Sequence, residues 1–254
     1  MDVCFDCTQC GRCCHDLRLT LSVAEARVWA GQGHRVDLLA EGWPWPDDGA
    51  PDDPAMQWRR ATTFAVTVGD VPFRVNLRLV ARHEGACPHL LPDRRCGNYE
   101  ARPRICRIYP LESRPFEAMV PAQRLCPPEA WRAGLPVLER DGDPADPQAA
   151  AILAAHRAAM IEDVAIKERL VRVIGWAEMA MAGEGLAVCE VAPAILFEAL
   201  AVAERGSREG VLPWTIVTNR QSTQAMLADL DCPARLVASG YGFLASFEDS
   251  SSSG

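Results

Sequence analysis

The sequence predicts an α+β protein in which a small, metal-stapled cysteine-cluster domain with a β-hairpin is followed by an all-α C-terminal region. Three observations predict it. Nine of the 11 cysteines fall within the first 126 residues. A β-branched stretch split by a turn pair lies between the two groups of cysteines, and apolar residues beyond position 150 recur at helical spacing. With 254 residues, 49% hydrophobic and 24% charged, the chain suits one or two domains and is too apolar to be disordered as a whole.

Taken in order, Met1-Asp-Val-Cys-Phe-Asp-Cys7 lacks the basic and apolar regions of a signal peptide, and no apolar run reaches the roughly 18 residues that span a bilayer. This predicts a cytoplasmic protein with no membrane partner. In a reducing compartment the thiols point to metal rather than to disulfides. Ser22-Val-Ala-Glu25 is a capping box opening a helix that Gly31 or Gly33 stops. Trp43-Pro-Trp45-Pro46, with the pairs Asp47-Asp48 and Asp52-Asp53, reads as loop. Residues 62–68 and 71–81 around Gly69-Asp70 form an antiparallel hairpin that delivers the chain to Cys87.

Crowded Gly, Pro and acidic residues make 134–148 a linker between a cysteine domain (1–133) and a helical region (149–245), with a flexible tail at 246–254. Ile166, Leu170, Val173, Ala177 and Met181 line one face of a long helix from about Pro147 to Met181. Pro193 and Gly206 bracket a second helix, and a third covers roughly Arg220 to Leu230. Cys189 and Cys232 have no ligand spacing and read as small core residues.

Charge is uneven: net −4 over 1–60, +4 over 61–133 and −8 over 134–254. The bases of the middle segment are all arginine, and the chain's only lysine is Lys167. An acidic chain without aromatics among those arginines does not suit nucleic acid. No P-loop, dinucleotide fingerprint, Gly-x-Ser-x-Gly or His-Glu-x-x-His occurs, which removes the usual support for nucleotide-dependent and hydrolytic enzymes.

The chemistry lies in Cys4, Cys7, Cys10, Cys13 and Cys14, followed by Cys87, Cys96, Cys106 and Cys126. Five thiols in eleven polar residues have no interior to hide in, and thiolates gather this densely when a cation neutralises them. Gaps of two residues let the backbone curl so that the sulfurs converge, and Gly11 supplies a permissive turn. Successive side chains diverge in most conformations, so Cys13 and Cys14 are expected at different sites. The run of two-residue gaps favours iron as a 4Fe-4S cluster, with zinc as the alternative. Arg102, Arg104 and Arg107 surround Cys106 and are expected to offset the charge of the thiolates. His15, His83 and His89 are expected to hydrogen-bond around the site rather than to ligate, and His34 and His156 to lie at the surface.

Cys7-x-x-Cys10-x-x-Cys13-Cys14, Cys87-Pro-His-Leu, Cys96-Gly-Asn-Tyr99-Glu100-Ala-Arg102-Pro103 and Cys106-Arg107-Ile-Tyr-Pro110 together resemble the YkgJ-type cysteine cluster family, described as a zinc- or iron-chelating domain. The resemblance covers about Cys4 to Pro128. It implies eight ligand candidates, Cys7, Cys10, Cys13, Cys14, Cys87, Cys96, Cys106 and Cys126, with Cys4 as an extra or replacement. Some relatives sit in FliB-like lysine N-methylases, which implies an iron-sulfur-dependent protein-modifying enzyme as an alternative to a metal-binding module that docks a partner through its helical region. Against the methylase, no glycine-rich loop joins a strand to a helix; Gly183-Glu-Gly185 is the nearest stretch.

Overall fold

The computed structural model describes residues 2–45, 52–206, 210–238, 240 and 242–246. The first elements are β1 (Val3–Cys4), β2 (Arg18–Leu21), α1 (Val23–Gly31), β3 (Val36–Pro44), α2 (Pro54–Ala61), β4 (Phe64–Val68) and β5 (Val71–Arg82). Then come α3 (Arg104–Ile108), β6 (Val137–Arg140), β7 (Asp143–Pro144), α4 (Pro147–Glu162) and α5 (Val164–Ile174). Last are β8 (Glu178–Met181), β9 (Gly185–Val191), α6 (Pro193–Arg205), β10 (Thr215–Thr218), α7 (Gln221–Ala228), β11 (Ala234–Leu236) and β12 (Phe243–Ala245). The class is α+β, as expected. No helix among the described residues is long and apolar enough to cross a membrane.

The chain divides into two discontinuous units, one of residues 1–22 and 81–160, the other of 23–80 and 161–254. The division does not follow the sequential cut at 133 and 149. Residues 134–148 are not a bare linker: β6 and β7 pair antiparallel there, across Asp141 (φ 51°) and Gly142 (φ 91°). Two successive left-handed residues are what a tight hairpin turn needs, and Asp-Gly supplies them cheaply. β1 pairs with β6, so the N-terminus is tied into this small sheet. The core of the first unit joins Ile108 and Leu111 to Leu153 of α4, with Ile105, Leu138 and Ile152 packed against them. The expected tail falls at residues 247–254 outside the described residues, as do Pro46, Asp47 and Asp48.

In the second unit the expected hairpin is present, β4 and β5 pairing antiparallel from Val68↔Val71 to Phe64↔Val75. A mixed sheet carries β11, β10, β8, β3 and β5 in that order, with β10 parallel to both β8 and β11. Parallel neighbours need a crossover, and α7 provides it between β10 and β11. The C-terminal region therefore holds α4 to α7 but also β8 to β12, and is not all-α. The expected long helix ends at Gly175, whose φ of 76° caps α5, so that Ala177 and Met181 pass into the strand region. Trp43 and Pro44 likewise end β3 rather than form loop, and Asp53 caps α2 by accepting from Ala55 N at 3.1 Å.

α1 begins at Val23, directly after Ser22, and α6 runs from Pro193 to the left-handed Gly206, both as expected. The first amide of α1 is bound from far away, Val23 N donating to Asp163 Oδ2 at 2.7 Å. Beside β12 the sheet is too close for a side chain, since a Cβ on Gly185 would meet the Leu244 carbonyl oxygen and the Phe243 ring. Gly185→Ala is expected to destabilise this unit by about 1–3 kcal/mol, because backbone cannot rotate away as a side chain can. Urea unfolding measures it, and metal content should be unchanged.

Candidate metal centre

All nine cysteines singled out before residue 127 lie in the first unit, whereas Cys189 on β9 and the buried Cys232 lie in the second. Cys232 Sγ donates to Val68 O at 3.3 Å, the behaviour of a small core residue. Cys4 is placed on β1 opposite Val137, beside a Phe5–Trp131 ring contact of 4.8 Å.

Gly11 shapes the first loop. Its left-handed φ of 73° turns the chain into a 3-10 turn at Arg12–Cys14, where its carbonyl accepts from Cys14 N at 2.9 Å. The same oxygen lies 2.9 Å from His15 Nδ1, and since a carbonyl only accepts, that nitrogen carries the proton. Successive side chains in such a turn are about 120° apart, not opposed as on a strand. The sulfurs of Cys13 and Cys14 accordingly stand 3.9 Å apart. The two side chains therefore do not diverge, and divergence is the ground for expecting them at different sites.

Backbone contacts lay the second group of thiols against the first. Cys87 N donates to Cys14 O at 2.7 Å, His15 bridges Ala86, and Asp16 exchanges bonds with Gly85 through its own N–H (2.8 Å) and through Oδ1 (2.6 Å). A tight return through Gly97 N to His89 O (2.7 Å) sets Cys96 opposite Leu90. Cys106 is carried by α3, whose Ile108 anchors in the core of this unit.

The thiols act on one another. Burial pushes Cys106 up to about 12, and the charges of Cys87, Cys13 and Cys96 push the same way. Burial also raises Cys87, with Cys96 and Cys13 adding to it while the His89 N–H opposes. Cys126 is raised by burial too, against a hydrogen bond from Tyr109, and feels Cys13, Cys10 and Cys7. Their shared hydrogen bond splits the adjacent pair, lowering Cys13 and raising Cys14. Cys7, Cys10, Cys13, Cys14, Cys87, Cys96, Cys106 and Cys126 thus form one electrostatic neighbourhood with Cys13 at its middle.

Among the described residues, no three Cys, His, Asp or Glu side chains already close around one point. Thiolates that repel one another complete such a shell only around a cation, and a donor set made wholly of sulfur suits zinc or iron. The separation of Cys13 and Cys14 agrees with that: two thiolates on one tetrahedral zinc, each about 2.3 Å from the ion, lie about 3.8 Å apart.

Of the three arginines, Arg102 acts on the thiols, its charge lowering both Cys13 and Cys106, while its Nε donates to Tyr99 O at 3.0 Å. Arg104 Nη1 donates to Ala155 O at 3.1 Å, and Arg107 is exposed in the last turn of α3. His156 is buried on the inner face of α4 with Leu153 and Ala159, not at the surface, because it falls three residues after Leu153. Gly183-Glu-Gly185 does follow a strand, β8, but leads into another strand, β9.

Sequence reasoning gave Tyr109 no role. Its hydroxyl accepts from Leu125 N at 2.8 Å and hydrogen-bonds to the Cys126 thiol, and burial pushes it up to about 12. Its place three residues after Cys106 was the available signal. Tyr109→Phe is expected to weaken metal binding roughly tenfold, as removing an outer partner of a ligand does. Competition with a chromophoric chelator measures it.

Residues 6–127 match the family profile described as "CxxCxxCC: Putative zinc- or iron-chelating domain". Cys4 falls just outside the matched span. Neither a curated protein nor a solved structure matches the chain.

Proposed function

We propose, from the premise that residues 6–127 are a CxxCxxCC domain, that the first unit chelates metal through Cys7, Cys10, Cys13, Cys14, Cys87, Cys96, Cys106 and Cys126. The observation that carries this reading is the gathering of both groups of cysteines in one unit, with the Cys13 and Cys14 sulfurs 3.9 Å apart and Cys87 N bound to Cys14 O at 2.7 Å. Cys4, held in β1, is the surplus thiol. A bound metal supplies positive charge that neutralises the thiolates, and either fixes the fold or carries an electron. Gly11 and the His89 N–H shape and hydrogen-bond the loops, Arg102 offsets thiolate charge, and Tyr109 orients Cys126. A shell made entirely of thiolate has no open position for substrate, which favours a structural or electron-transfer role over Lewis-acid catalysis, with the second unit left to engage a protein partner.

Iron held as a 4Fe-4S cluster follows from the run of two-residue gaps at Cys7, Cys10 and Cys13. Zinc is the second reading, supported by the 3.9 Å between Cys13 and Cys14 sulfurs, since a cluster takes one thiolate per iron and spreads its ligands further. Anaerobic purification with metal analysis, labile sulfide and an absorption spectrum separates them. Iron with matching sulfide and visible absorption supports the cluster; colourless protein with stoichiometric zinc supports the second reading; neither metal contradicts chelation.

A further inference from the structure

Beside the thiols of the first unit lies a cleft of about 670 Å³, within the range of small-molecule sites. Its walls carry Arg12, His15 and Arg94 together with Leu17 and Leu125, and Cys10 borders it. We propose that this cleft binds a carboxylate carried next to a short apolar group.

Two arginines present their charge here. Neither Arg12 nor Arg94 has an ion pair or side-chain hydrogen bond among the described residues, so both guanidinium groups are open to a ligand, unlike Arg124, which is bound to Glu112 at 2.9 Å. Asp16 is the acid on the wall, and its Oδ1 is held by the Gly85 N–H.

The arginines are also positioned. Arg94 sits in the left-handed region at φ 68°, its N–H bound to Leu91 O at 2.9 Å. Its stem covers Gly11, where an added Cβ would lie 3.6 Å from the Arg94 Cβ, so the loop carrying Arg94 is packed on the loop carrying Arg12. Planar guanidinium forks match a carboxylate in two parallel hydrogen bonds. Leu125, 45% exposed, and Leu17 form the apolar half, which a bare inorganic anion would leave wet.

The inference goes beyond chelation and does not rest on it, since the groups that would hold the acid are Arg12, Arg94, Leu17 and Leu125 of the cleft wall. The test uses the protein as purified, with its metal content measured in the same samples, titrated with N-acetyl-L-leucine and with N-acetyl-L-leucinamide by NMR. The acid should saturate with Kd on the order of 1 mM and the amide bind at least tenfold more weakly. Arg94→Gln should weaken the acid about tenfold, and Leu125→Ala severalfold. If Arg94→Gln also lowers metal content, Leu125→Ala, which changes no charge, decides. Equal binding of acid and amide, no saturation by about 20 mM, or parent-like affinity in Leu125→Ala would overturn the proposal. Protein that carries no metal sinks chelation, while the acid–amide difference still judges the cleft.

Discussion

A Cys10→Ser, Cys13→Ser double substitution is expected to abolish metal binding and to make the first unit melt well below the second. Cys10 lies in the loop that Gly11 turns, and Cys13 is the thiol that acts on Cys14, Cys87, Cys106 and Cys126. Some seventy residues separate the two groups of cysteines, and the intervening chain includes a segment that belongs to the other unit. An ion that bridges them therefore supplies folding free energy, of order 10 kcal/mol in small metal-folded peptides and several kcal/mol here, where Ile108, Leu111 and Leu153 already give the unit a core. Calorimetry of parent, chelator-treated parent and double variant should show two transitions, the earlier one shared by the last two samples. Unchanged metal content and a single unshifted transition would remove Cys10 and Cys13 from the site.

The second large effect is on pH, with opposite signs for loaded and metal-free protein. A metal takes thiolates, and the raised values of Cys14, Cys87, Cys106 and Cys126 mean that these thiols hold their protons near neutrality. Binding releases those protons, so affinity is greatest at alkaline pH and falls as pH drops, by about a thousandfold per unit if three leave together. Without metal the sign reverses. A thiol whose value is raised by folding contributes stability below its ordinary value of 9.0, and that stability is lost as pH rises toward about 12 for Cys106. Chelator-treated protein should thus melt earlier at pH 10 than at pH 7, while metal-loaded protein should not. Metal affinity that is flat between pH 6 and 8 would mean that the buried thiols are not the ligands.

What could be read from the sequence was local. The hairpin across Gly69-Asp70 and the helix between Pro193 and Gly206 were legible because turn chemistry and residue period agree within a few positions. The thiols were legible because their density has no other physical use. Features that depend on distant partners were not. Nothing near Val23 records that Asp163 binds its amide, and nothing near Leu125 records the hydroxyl of Tyr109. The composition of 134–148 suited a linker, although Asp141-Gly142 is a hairpin turn once β1 is available to pair with β6. Ala177, just before β8, and Met181 within it continued the helical spacing of α5 by chance, and Gly175, which ends the helix, weighed too little against four matching spacings. The separation of Cys13 from Cys14 turned on a backbone choice, 3-10 turn against strand, that residue types alone leave open.

The central claim is that eight thiols of one unit hold metal, and differential alkylation tests it most directly. Metal-loaded and chelator-treated protein are labelled with iodoacetamide and the modified cysteines mapped by mass spectrometry. Cys7, Cys10, Cys13, Cys14, Cys87, Cys96, Cys106 and Cys126 should be protected by metal and labelled after its removal, while Cys4 and Cys189 label alike in both and the buried Cys232 resists in both. Equal labelling of those eight thiols with and without metal, or metal protection that falls on Cys189 instead, would contradict the account.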